Sequence, residues 1–258
     1  MSEGMVHLER HGPLATVTFD RPQERNAMTW AMYAQLGTIC EQLRQDASVR
    51  AVLLRGAGGK AFVAGTDIAQ FLEFKDGDAG VAYEKRIDLC IGMLEALPVP
   101  TIALVEGWAV GGGVAIATAC DFRIATAESK FGVPIARTLG NCLSMANLAR
   151  LTAAFGTQRL KRMLLLAEML PADEALACGF LHGIAAAADL QGQGAALAQR
   201  LAALAPVTQG VAKEGLRRLE LHHLPDGDDL IRRAYVSHDF REGVAAFTAR
   251  RPPVWKGE

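Results

Sequence analysis

Long apolar runs are missing from this 258-residue chain. No uninterrupted run reaches the ~18 residues of a membrane span, so no membrane partner is expected. Charge of one sign is missing as well. Lys and Arg total 27 against 28 Asp and Glu, a formal net charge of -1 at pH 7, and no basic stripe stands out, which argues against nucleic acid. The five cysteines, Cys40, Cys90, Cys120, Cys142 and Cys178, form no C-x-x-C pair, and the histidines show no paired metal spacing. Neither a disulfide framework nor a metal site is expected, and a reducing, cytoplasmic compartment is. The start, Met1 to Arg10, has neither the apolar core of a secretory signal nor the Arg-rich character of a transit peptide. His7, His11, His182, His222, His223 and His238 lie mostly near element ends or polar turns and read as surface or structural groups.

What is present is apolar residue and glycine in the right places. At 50% hydrophobic and 21% charged the chain can bury a full core, read as one large domain with an appendage. In Val105-Glu106-Gly107-Trp108-Ala109-Val110-Gly111-Gly112-Gly113-Val114 three glycines follow an apolar strand and open an apolar helix. Glycine lets a ligand approach the backbone, and a helix's first turn leaves N–H groups without intrahelical acceptors at the positive end of its dipole. Such a loop binds a phosphate or stabilises an oxyanion, or it is simply a tight packing bend. A second strand, Ala51 to Gly56, runs into a loop ending Ala61-Phe62-Val63-Ala64-Gly65-Thr66-Asp67-Ile68, so two strand ends deliver N–H groups. Neither G-x-G-x-x-G nor a P-loop is spelled, which disfavours a Rossmann-type nucleotide binder.

With those loops the sequence resembles the enoyl-CoA hydratase/isomerase, or crotonase, family over nearly its whole length. Five islands carry the resemblance in order: Arg21-Pro22-Gln23-Glu24-Arg25-Asn26-Ala27-Met28, Ala61 to Ile68, Gly111-Gly112-Gly113 with Ala119 to Ala125, Lys130-Phe131-Gly132-Val133-Pro134, and Ala246 to Lys256. The resemblance implies a spiral of β-β-α turns with a C-terminal helical region that builds a homotrimer or a dimer of trimers. It divides the chain into a core over 1–195 and a helical oligomerisation region over 196–258. It also implies an acyl-CoA thioester site, coenzyme A entering only as part of the substrate, with the amides of Ala64 and Gly112 on the thioester oxygen. Contacts to the substrate are expected from Arg25, Ala27, Met28, Ala64, Gly65, Thr66, Asp67, Ile68, Gly111, Gly112, Pro134, Ile135, Phe247 and Lys256, with Arg25 or Lys60 near the phosphates. Removing a proton alpha to a thioester, or adding a nucleophile beta to it, places negative charge on that oxygen, and one such donor is worth about 3 kcal/mol.

The sequence departs from the family's hydratases where protons are moved. Their glutamates stand three residues after the second glycine of the G-G-G loop and directly after the proline of Phe-Gly-x-Pro; here those positions are Ala115 and Ile135. The expectation is a lyase- or isomerase-class enzyme of the family without the usual hydratase acid and base. Alternatives are a CoA-thioester binder that has lost its chemistry, and a dehalogenase- or hydrolase-like branch in which Cys142, after Gly140-Asn141, is the nucleophile. The plainer reading of Cys142 is a small buried apolar residue. Glu106 is a further acid candidate, or else a rim ion-pair partner. Asp67 reads as the N-cap of a following helix, and Tyr83 and Glu84, in the variable segment, as surface residues.

Periodicity predicts a hairpin from Val6–Arg10 and Ala15–Asp20, and a helix over 29–46 capped by Asn26 or Thr29. Strands at 51–55, 101–106 and 122–125 alternate with helices near 68–74, 81–97 and 113–118, an α/β class. Helices then follow at 145–154, 158–167, 172–178, 190–204, 206–221 and 229–250.

Overall fold

The expected hairpin forms as β1 (Met5–His11) and β2 (Leu14–Asp20), antiparallel from Met5 opposite Asp20 to His11 opposite Leu14. The computed structural model describes residues 3–258; Met1 and Ser2, the first residues of the polar start, lie outside the described residues. Helix α1 (Trp30–Gln45) is capped by Thr29, whose side chain accepts from the Met32 amide at 3.2 Å. Asn26 does not cap it. Fully buried, its side chain instead accepts from the Arg21 amide and donates to the Ala57 and Ala61 carbonyls, stapling two loops together.

Thereafter the chain spirals. Each turn lays one strand in a large sheet and the next in a small one, then returns by helix. The large sheet receives β3 (Ala51–Gly56), β5 (Thr101–Val105), β7 (Phe122–Thr126) and β10 (Gly183–Ala185), in the order β1-β2-β3-β5-β7-β10. The small sheet receives β4 (Ala61–Val63), β6 (Trp108–Val110), β8 (Lys130–Gly132) and β9 (Leu170–Pro171). All neighbours are parallel except the β1–β2 and β8–β9 pairs. Parallel strands need both faces covered, which is why β3 and β5 read as continuous apolar runs rather than alternating ones. The sequence reading missed the strands of the small sheet because two or three residues are too few to show a period.

Helix α2 (Gly77–Glu95) links the β4 and β5 layers, and α3 (Gly112–Ala119) links β6 and β7. A short turn of helix, α4 (Ile135–Thr138), precedes α5 (Met145–Leu165), capped by Ser144. The two helices expected at 145–154 and 158–167 run together in α5, with Gly156 at φ 73° supplying the break. After α6 (Ala172–Ala177), α7 (Leu190–Ala202) packs on the large sheet and α8 (Pro206–Glu220) follows. The long helix expected to Arg250 is two, α9 (Asp228–Val236) and α10 (His238–Thr248). They divide at Ser237, which is extended and whose hydroxyl accepts from the Phe240 amide at 3.0 Å, a cap that competes with helix continuation.

Helices α9 and α10 fold back on the core of their own chain. Ile231, Tyr235, Phe240 and Val244 form a buried cluster with Phe71, Val81 and Leu139. Its rings meet mostly edge to face or tilted, Phe71 and Tyr83 at 4.9 Å and Tyr235 and Phe240 at 4.7 Å, contacts each worth about 0.5–1.5 kcal/mol beyond burial. Among the described residues no helix is long and apolar enough to cross a membrane.

Candidate active site

A cavity of about 440 Å³ opens between the small sheet's strand ends, the first turn of α3, the inner face of α2 and the aromatic cluster. One wall is backbone. Residues 25–28 run beside 64–67: the Ala64 amide donates to the Arg25 carbonyl at 3.1 Å, Met28 to Gly65 at 2.8 Å and Asp67 to Met28 at 2.9 Å. Gly65, at φ 99°, interrupts this ladder. The Thr66 amide that follows has no acceptor among the described residues. The Gly112 amide, first in α3, likewise has none. These two turns abut: a methyl group placed on Gly112 would lie 3.5 Å from Thr66 Oγ1 and 2.6 Å from Tyr33 Oη, and one on Gly113 would collide with the Val63 carbonyl. Glycine is therefore a steric requirement here as well as a conformational one.

Behind the amides runs a chain of hydroxyls. Tyr33 Oη lies 2.8 Å from Thr66 Oγ1, which lies 3.0 Å from Tyr83 Oη. Burial pushes both phenols well above their usual range, so they are neutral hydrogen-bonding groups.

The opposite wall holds Glu84. Its Oε1 accepts from the Tyr235 hydroxyl at 2.6 Å and its Oε2 from the Ser144 amide at 3.3 Å, and Asn141 Nδ2 donates to the Tyr235 oxygen at 3.3 Å. Only 3% exposed, Glu84 has no cationic partner among the described residues, and burial raises its carboxyl to about 8 against the two hydrogen bonds that favour the anion. It is therefore a neutral acid at pH 7. Two other carboxyl groups border the cavity. Glu24 is exposed, and Asp67 is held by Arg21 at 2.8 Å while capping the following 3₁₀ turn, Ile68–Glu73, through the Ala69 amide.

Most residues anticipated from the sequence come together here. Arg25, Ala27, Ala64, Gly65, Thr66, Asp67, Ile68, Gly111, Gly112, Pro134, Ile135 and Phe247 line the cavity, as does Ala115. Corrections are as informative. The Ala64 amide is occupied by the Arg25 carbonyl, so the free amide of that loop is two residues later, at Thr66. Met28 is fully buried in the core, while Lys256 and Lys60 are exposed and border no part of the cavity. Glu106 lies outside it, against the Gly59 turn. Cys142 also lies outside, packed against the aromatic cluster with its Sγ 4.0 Å from the Leu230 carbonyl, and burial pushes its thiol up to about 12, the reverse of an activated nucleophile. Tyr83 and Glu84 are not surface residues. The signal that placed Glu84 was available: Val81, Glu84, Ile87 and Ile91 recur at helical spacing, which puts the carboxyl on the apolar face of α2.

Known proteins resemble this chain in sequence and fold. The enoyl-CoA hydratase/isomerase family model matches residues 9–258. The putative enoyl-CoA hydratase/isomerase YngF of Bacillus subtilis is 31% identical over 100% of both chains. The short-chain-enoyl-CoA hydratase of Clostridium acetobutylicum is 33% identical over 83% of this chain and 81% of its own. Among solved structures, methylmalonyl-CoA decarboxylase in complex with 2-nitronate-propionyl-CoA superposes with a TM-score of 0.90 at 26% identity, covering 98% of each chain. In matched sequence, in the β-β-α spiral and in the glycine turns around its cavity, the chain belongs to the enoyl-CoA hydratase/isomerase family and has the crotonase fold.

Proposed function

We propose that this protein acts on an acyl-CoA thioester through an enolate whose oxygen is held by the amides of Thr66 and Gly112 and whose alpha carbon takes its proton from Glu84. The observation that carries the reading is one buried carboxyl in the cavity, pushed up by burial, while Ala115 and Ile135 occupy the two hydratase glutamate positions. Hydration in the family uses two carboxylates, one orienting water and one supplying the proton, and this cavity has a single protonated acid. A neutral acid quenches an enolate that arises without a base. Loss of carbon dioxide from a malonyl-type thioester meets that condition: the electron pair of the carbon–carboxylate bond becomes the enolate, carbon dioxide departs, the alpha carbon takes the Glu84 proton, and a proton taken up from solvent restores Glu84, so that each turnover consumes one proton. The similarity to methylmalonyl-CoA decarboxylase supports this route.

The family's name favours a second reading, a proton shift along the acyl chain, in which Glu84 acts first as base. The two differ in the sign of their pH dependence. As an acid, Glu84 is active below about 8 and activity falls as pH rises through that value; as a base, activity rises there. The test is to incubate the protein with malonyl-CoA and methylmalonyl-CoA in deuterated water, following carbon dioxide release and deuterium at the alpha carbon by mass spectrometry across that pH range. Rapid hydration of crotonyl-CoA, seen as loss of its conjugated-thioester absorbance, would contradict the proposal. The helical region over 196–258 is also proposed, on the resemblance, to form a trimer; light scattering tests it.

A further inference from the structure

Next to Glu84 the cavity wall carries a second buried polar side chain, Asn147, in the first turn of α5 and only 2% exposed. Its backbone is fixed by the Ser144 cap, the Ser144 hydroxyl accepting from the Asn147 amide at 3.1 Å. Its side chain is fixed by Arg150, whose Nη1 donates to Asn147 Oδ1 at 3.3 Å. A guanidinium has donors only, so the atom facing Arg150 must be the amide oxygen and the NH2 group must face away from it. Arg150 is itself 3% exposed and anchored by two hydrogen bonds to Glu95 Oε2, at 3.1 and 3.2 Å, with Asp88 at 3.6 Å. The NH2 group of Asn147 makes no hydrogen bond among the described residues, and it is not among the buried polar atoms sealed from space within the protein. It is a positioned donor with no acceptor among the described residues, on a side chain that lines the cavity.

A hydrocarbon acyl chain would leave that donor desolvated and unpaired, which is costly, whereas an oxygen at the same place satisfies it. We infer that Asn147, oriented by Arg150, is a subsite for an acceptor oxygen carried by the acyl group itself, so that the substrate is an oxygenated acyl-CoA, bearing a carboxylate, hydroxyl or keto group, rather than a plain hydrocarbon thioester. The inference rests on the acyl-CoA reading above and adds the residue that would recognise an oxygen on the acyl group, whether or not that oxygen is lost in carbon dioxide. Asn147 is a binding residue in it, and Arg150 acts only through Asn147.

Two comparisons test it. Affinities for butyryl-CoA, 3-hydroxybutyryl-CoA, acetoacetyl-CoA and malonyl-CoA are measured by ligand-induced thermal shift and equilibrium binding. At least one oxygenated ester binds about tenfold or more tightly than butyryl-CoA, the size of a buried hydrogen bond gained against a donor left unpaired. In Asn147→Asp the acceptor for Arg150 is kept and the donor becomes an oxygen, so for malonyl-CoA and acetoacetyl-CoA, whose added oxygens only accept, the ratio of affinities to butyryl-CoA collapses towards one or below, while a hydroxyl can still donate to the new oxygen; circular dichroism and the melting temperature report that the variant is folded. An unaltered protein that binds butyryl-CoA as well as every oxygenated ester overturns the inference, as does an unchanged ratio for an acceptor-only ester that the unaltered protein prefers. If no thioester, butyryl-CoA included, binds or stabilises the protein, it is the acyl-CoA reading that fails, and the subsite falls with it. The wild-type ratio stands as a test whether or not the variant folds.

Discussion

The two walls of the cavity are built by different means. The amide wall is made of backbone from two loops, residues 64–67 and 111–113, each following a strand of the small sheet and each shaped by glycine. The polar wall brings together elements far apart in sequence: Glu84 from α2 and Asn147 from α5 line it, and Glu84 is held by the Tyr235 hydroxyl of α9 and the Ser144 amide before α5. In the proposed function the first wall would supply negative-charge stabilisation for a thioester enolate, and its geometry depends on local conformation. The second would choose the proton and the acyl group, and its geometry depends on tertiary packing. A chain can thus keep the family's backbone device while exchanging the carboxyls that define its hydratases.

Substitutions on either wall test that separation, and the largest effect is expected at the acid. Glu84→Gln keeps the shape and the Tyr235 hydrogen bond but cannot give up a proton, so kcat on the true substrate falls about 10²–10⁴-fold with little change in KM. The same variant has a signature in stability. Glu84 holds its proton up to about 8 in the folded protein but only to 4.5 when unfolded, so its contribution is complete below 4.5 and is lost as pH rises towards 8. Thermal denaturation across that window should show this decline in the wild type and a flatter curve in Glu84→Gln. On the amide wall, Gly112→Ala brings a methyl group to 2.6 Å from Tyr33 Oη and forces the first turn of α3 away, lowering kcat about 10²–10³-fold without shifting the pH profile.

Smaller effects sharpen the contrast. Tyr235→Phe removes a hydrogen bond that favours the Glu84 anion, so the descending limb of the pH–rate profile moves above 8 and activity changes by about tenfold or less. A purely structural role for Tyr235 would lower activity without moving that limb. Least affected is Cys142→Ala, outside both walls, which leaves kcat intact and costs about 1 kcal/mol or less in stability, measured by turnover and denaturation. Loss of turnover in that variant would restore the nucleophile reading.

The amide wall was legible in the sequence because its determinants are local. Strand ends, glycines and the order of the motif islands located the Gly65–Thr66 and Gly111–Gly112 turns, and Ala115 and Ile135 could be read directly as missing carboxyls. What was not legible was which amide is free. The pairing of 25–28 with 64–67 consumes the Ala64 donor, and a ladder between segments nearly forty residues apart leaves no mark in either. The polar wall was misread for the same reason. Glu84 and Tyr83 look like surface residues until α9 and α10 cover them, and the point at which those helices divide rests on the side-chain cap of Ser237. The helical period of Val81, Ile87 and Ile91 gave the orientation of α2 but not the identity of what packs upon it.

The proposed function requires that Glu84, which lines the same cavity as Thr66 and Gly112, is a neutral acid. Difference infrared spectroscopy of the wild type against Glu84→Gln, titrated in pH, reads that state directly. A protonated-carboxyl band is expected at pH 7, absent from Glu84→Gln and disappearing near pH 8. A carboxylate already ionised at pH 7, titrating near the ordinary value of 4.5, would contradict it.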